Sequence, residues 1–280
     1  MRQNKARKTQ SAKYRRLLRK VWIPVAGVVL AIAIGLVIFT LLPTNMITLP
    51  KAAIIDQHFS LQPNPGFIEQ VTRQLEDFGF SVDLYQGENV TVKLFRNLPR
   101  SKYELIIFRV HSGLRLDQDN INYGTWLFTN EPYSEIQHVH YQHAELLAKG
   151  KIDEGYPWVF AIGSKFVIQS MKGKFDNAVI VMMGCGPMYI DDMAQAWNLK
   201  GASVSIGWDE RTSLHYCDGA TVELISKLLS QEMTINQAVV SVMSEIGPGP
   251  AYNAQLKYFP LESGNKSIRQ LLGWRASKSD

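Results

Sequence analysis

Between Val21 and Leu42 the chain runs for 22 residues without a charged side chain, directly behind a stretch whose first twenty positions hold nine Lys or Arg and no acid. At ~1.5 Å per residue such a run, wound as a helix, spans roughly the ~30 Å hydrocarbon layer of a bilayer. It is also longer than the ~7–15 apolar residues of a cleaved leader. The sequence therefore predicts a transmembrane helix over 21–42. The basic tail, 1–20, is expected on the cytoplasmic side, and the residues after the helix outside the cell membrane. Residues 43–50, which include Pro43 and Pro50, read as a short stalk before a domain over 51–280. With nine of the 30 basic residues in the tail, the rest of the chain holds 21 basic against 25 acidic side chains. No basic stripe interleaved with aromatics remains to bind nucleic acid, which is not an expected partner.

From Lys51 on, short β-rich apolar runs alternate with helical patterns. That order predicts an α/β domain, a three-layer sandwich with a mainly parallel sheet covered on both faces. The first strand is expected at Ala52 to Asp56, and a helix after Pro65, where Phe67, Val71, Leu75 and Phe78 share one face and Gly79 stops it. Further strands are expected at Ser81 to Tyr85, Tyr103 to Val110, Ala178 to Met183, the most apolar and hence central, and Ala202 to Gly207. Helical patterns follow around Met193 to Leu199, Ala220 to Leu229 and Ile235 to Ile246, the last with Thr234 and Gln237 at capping-box spacing. Residues 112–177 read as an insertion with an extended Trp126 to Thr129, a helix near Glu145 and a strand at Trp158 to Ile162. Past Pro250 the pattern supports one strand, Leu256 to Phe259, and a short helix near Leu271.

Parallel sheets bind ligands beyond the carboxyl ends of their strands. There the third strand delivers Val110-His111-Ser112-Gly113 and the fourth Gly184-Cys185-Gly186. A His and a Cys at the ends of neighbouring strands can act as base and nucleophile, with nearby glycines letting backbone N–H groups reach an oxyanion. The alternatives for each residue alone are a small core cysteine and a hydrogen-bonded loop histidine. Cys185 and Cys217 are the two cysteines, and in an oxidising compartment a disulfide between them is a further alternative.

In these motifs the chain resembles the caspase-like clan of cysteine peptidases, the group of caspases, legumains, clostripain and gingipains, from about Ala52 to Ile246. The clan's dyad is a His after the third strand and a Cys after the fourth, which here are His111 and Cys185. Gly184-Cys185, the helix at Met193 to Leu199, Gly201-Ala202, the strand Ser203 to Gly207 and Trp208-Asp209 extend the similarity. The resemblance implies peptide-bond hydrolysis through a thioester, without metal or cofactor, on a peptide or protein substrate. Where the clan usually has Gly after the His, this chain has Ser112, so the oxyanion donors are expected among Ser112, Gly113, Gly184 and Cys185. The clan's first strand lies beside its third, which would let Asp56 orient His111. Trp208 and Asp209, after the fifth strand, would form a pocket for a basic side chain, unless Asp209 and Glu210 only open the next helix or Arg211 neutralises them.

A non-catalytic membrane-tethered domain of the same fold is the rival reading. A nucleotide enzyme is disfavoured because no glycine-rich phosphate loop follows the first strand. His138, His140 and His143 crowd within six positions, but no single helix or strand face gathers all three, so no metal is expected there. Asn89-Val90-Thr91 and Asn265-Lys266-Ser267 are glycosylation sequons, usable only if the host glycosylates.

Overall fold

In the computed structural model, residues 49–116 and 122–274 are described. The basic tail, the predicted span over 21–42 and most of the stalk lie outside them. Among the described residues no helix is long and apolar enough to cross a membrane.

The domain is α/β, built on a mixed, mostly parallel sheet of six strands. Its first strands are β1 (Lys51–Asp56), β2 (Ser81–Gln86) and β3 (Tyr103–Arg109). A second, four-stranded sheet follows in the chain: β4 (Ser112–Leu116), β5 (Asn122–Pro132), β6 (Leu147–Gly150) and β7 (Val159–Gly163). The main sheet is completed by β8 (Val179–Met182), β9 (Val204–Trp208) and β10 (Leu256–Phe259), giving the order β10-β9-β8-β3-β1-β2. All its pairs are parallel except β9 with β10. The second sheet is antiparallel, in the order β4-β5-β7-β6.

Strand alternation divides the core into two halves. Ala52, Ile54, Leu105, Ile107, Val179, Val181, Val204 and Ile206 point to one face. There they meet α1 (Pro65–Phe78), through Phe67, Val71 and Leu75, and the helices that follow β9. Ala53, Ile55, Ile106, Phe108, Ile180 and Met182 point to the other face, towards Leu127, Phe160 and Ile162 of the second sheet. α2 (Val92–Asn97), α4 (Ser164–Ser170) and α5 (Asp192–Leu199) also cover this face, through Phe95, Phe166 and Trp197; between α2 and α4 runs the short α3 (Val139–His143). The first face is completed by α6 (Leu214–Leu229), α7 (Ile235–Ile246) and α8 (Ile268–Leu271). The inner strands β1, β3, β8 and β9 are buried on both sides, which is why their sequences read as apolar runs.

Most elements form where the sequence places them. Asn64 caps α1 by accepting from Phe67 N–H, and Gly79 ends it in the left-handed region at φ 111°. Both halves of the Thr234–Gln237 capping box are made at α7. In the insertion the helix expected near Glu145 is α3, which ends at His143 before Glu145 turns at φ 56°, the extended piece around Trp126 is part of the 11-residue β5, and the strand expected at Trp158 to Ile162 is β7. β4, β6, α2 and α4 were not predicted.

Candidate functional site

β3 and β8 lie side by side and parallel, in the register Leu105↔Val179 through Phe108↔Met182. The pairing persists past the strand ends, because Met183 N–H donates to Phe108 O at 2.9 Å. His111 follows β3 by two residues and Cys185 follows β8 by three, and counting on from Phe108↔Met182 makes them equivalent positions. The two segments are held together where they leave the sheet. Ser112 Oγ donates to Cys185 O at 3.0 Å. A Cβ on Gly184 would lie 2.7 Å from Val110 O and closer still to Ser112 Oγ. Gly184 thus serves the close approach of the two segments.

His111 is partly buried, its ring packed edge-on against Phe128 at 4.7 Å between centroids. Burial lowers its pKa, so the imidazole is neutral at neutral pH and able to accept a proton. Cys185 is partly exposed, a free thiol whose Sγ donates to Thr212 O at 3.4 Å. Cys217 is also free, and no disulfide joins the two. Burial pushes the Cys217 thiol up, and neighbouring Cys185 acts in the same direction, so Cys217 stays protonated.

The backbone donors around His111 are not equivalent. Phe128 N–H donates to His111 O at 2.9 Å, which makes Ser112↔Leu127 a non-hydrogen-bonded pair of the antiparallel ladder. Gly113 N–H is therefore turned to β5. Ser112 N–H is turned away from it, on the free edge of the second sheet.

Asp56 does not orient His111. It lies one position short of doing so, paired in register with Arg109. Its Oδ1 accepts from Arg109 Nη1 at 2.7 Å and its Oδ2 from Gln86 at 3.3 Å. The same guanidinium donates to both carboxylate oxygens of Asp218 on α6, each at 2.9 Å, and to Gln62 O. Asn64 Nδ2 completes the cluster with a bond to Asp218 at 2.8 Å. His111 is instead fixed by the next residue along, since Gln57 Oε1 accepts from His111 N–H at 2.9 Å. Gln57 is clamped in turn by two hydrogen bonds with Asn130, both at 2.9 Å. His58 stands edge-on to His111 at 6.2 Å. Burial, then the Arg109 charge and His111, lower its pKa to about 3, so it stays neutral. Gln57, His58, Arg109 and Asp218 were missed. The signals were present: Gln57 and His58 follow the carboxyl end of β1, Arg109 ends an apolar strand, and Asp218 interrupts an apolar helix.

The basic-residue pocket expected at Trp208 and Asp209 is not formed. Trp208 continues the parity of Val204 and Ile206 into the core, where its ring meets Tyr216 at 5.4 Å. Asp209 is tied to β10, accepting from Gln255 N–H at 2.6 Å and pairing with Lys257 at 2.9 Å. Of the histidine cluster, His138 meets Glu131 at 2.6 Å and His140 packs on Tyr141. Among the described residues no group of three or more His, Cys, Asp or Glu is placed to hold a metal ion. Compared with known proteins, the chain matches no family model, and no curated protein matches it significantly.

Proposed function

We propose that the chain is a cysteine endopeptidase of caspase-like fold, anchored by residues 21–42 in the cell membrane with its catalytic domain outside. The observation that carries this reading is that His111 and Cys185 follow the carboxyl ends of the two central strands, β3 and β8, whose trailing segments are joined by the bond from Ser112 Oγ to Cys185 O. The position of β1 beside β3, the His after the third strand of the main sheet and the Cys after its fourth agree with the clan the sequence resembles.

The chemistry follows from the groups present. Neutral His111 takes the Cys185 proton, and the sulfur attacks the peptide carbonyl. Negative charge then develops on the carbonyl oxygen, where the free-edge N–H of Ser112 and that of Cys185 can receive it. His111 returns the proton to the leaving amine, and water cleaves the thioester with the imidazole as base. In the resting structure Sγ is engaged with the Thr212 carbonyl, so the thiol must rotate from it towards His111 as substrate binds. Catalytic hydrogen bonds are often loose before substrate arrives.

That same Thr212 contact favours the second reading, a catalytically inactive ectodomain that binds a partner. Hydrolysis of a quenched-fluorescence peptide library by the full chain separates the two. Alanine at His111 or at Cys185 should each reduce turnover at least a hundredfold, with the double variant little worse because the two act as a unit. Undiminished turnover in Cys185→Ala would end the peptidase reading.

A further inference from the structure

One face of the second sheet carries a groove of about 510 Å³, within the ~300–1,000 Å³ range of ligand sites. Its floor is aromatic. Phe128 lies flat over Gly150, where a Cβ would come within 2.6 Å of the ring, and Trp126 lies beside it. Ala148 and Ala161 leave the space above open, and half-exposed Trp158 forms a wall. Phe128 links the groove to His111, since its ring also packs edge-on against that imidazole, and Gly113, two residues past His111, lines the groove. Lys149 and Lys151 stand over the Trp158 ring at 5.3 and 5.7 Å, and neither makes an ion pair among the described residues.

We infer that this groove is the specificity subsite of the proposed peptidase, taking a large aromatic or aliphatic side chain of an extended peptide with an acidic residue beside it. The inference rests on the peptidase reading for its setting. The apolar floor gives nothing to a charged or small side chain, while Phe, Trp or Leu removes its surface from water there. The two rim cations, stacked on the indole, favour a neighbouring carboxylate. A basic side chain, the preference expected from Trp208 and Asp209, meets two like charges.

The test uses binding, so that it does not depend on catalysis. Fluorescein-labelled peptides of the form Gly-Phe-Asp-Gly, and versions with Phe→Gly or Asp→Lys, are titrated by anisotropy against full-length Cys185→Ala in detergent. The expected result is at least tenfold weaker binding for the Gly peptide and about threefold for the Lys peptide. Ala148→Trp, which fills the groove from its open side, should abolish the preference for Phe. Equal affinity across the panel, or a Phe preference that survives Ala148→Trp in a variant with an unchanged unfolding midpoint, overturns the assignment. The peptidase reading fails separately, by alkylation of wild-type Cys185 with iodoacetamide at a rate that His111→Ala leaves unchanged.

Discussion

Two neutral histidines meet at the candidate site, and their neutrality has a measurable cost. His58 keeps its pKa near 3 when folded, against about 6.5 in an unfolded chain. The unfolded state therefore binds a proton that the folded state refuses once the pH drops below about 6.5. Stability contributed by neutral His58 is fully present above that pH and declines as the pH falls towards 3, by at most ~1.4 kcal/mol per unit. Partly buried His111, lowered in the same direction, adds to the slope. Urea unfolding at pH 7.5 and 5.0 should show a smaller acid loss for His58→Gln than for wild type. An equal loss in both would mean that His58 is protonated in the fold. Cys217 contrasts with Cys185 at the same scale, because the buried thiol has no route to a thiolate, whereas Cys185 is partly open to solvent.

At the scale of elements, Arg109 joins three of them. It ends β3, meets Asp56 at the end of β1 and Asp218 on α6, and is 1% exposed. Arg109→Met leaves two buried carboxylates without their cation and should cost about 3–5 kcal/mol, read from urea unfolding of the full chain. Replacing Asp56 and Asp218 by Leu in the same chain should restore much of the loss. A cost below about 1 kcal/mol for Arg109→Met alone would show that water reaches the pair. This cluster also explains where reading the sequence stopped. The strands of the main sheet were legible as apolar runs, α1 and α7 from their periodicity and caps. Of the second sheet, β5 and β7 were legible in part, whereas β4 and β6 were not, because they are short and carry Gly113 and Gly150. That His111 and Cys185 follow the ends of β3 and β8 was legible because strand ends are marked by the apolar runs before them. Asp56 was expected to orient the His111 imidazole, but the sequence does not show that an arginine from the neighbouring strand claims it, nor that Gln57 instead takes the His111 backbone N–H. Trp208 and Asp209 failed as a pocket for a similar reason, as β10, far along the chain, pairs over them.

For the whole molecule, the proposed arrangement puts a basic tail inside the cell and the α/β domain outside. Protease added to intact cells should then remove the region beyond Leu42, whereas protection until lysis would reverse the topology. The dyad itself is tested most directly by the thiol. Cys185 should react with a peptidyl chloromethyl ketone at least a hundredfold faster than a free cysteine does under the same conditions. The label should map to Cys185 by mass spectrometry, and His111→Ala should reduce the rate to that of the free thiol, because the imidazole supplies the base. Labelling at Cys185 no faster than the free thiol, or a rate unchanged in His111→Ala, would contradict the pairing of His111 with Cys185 as a catalytic unit.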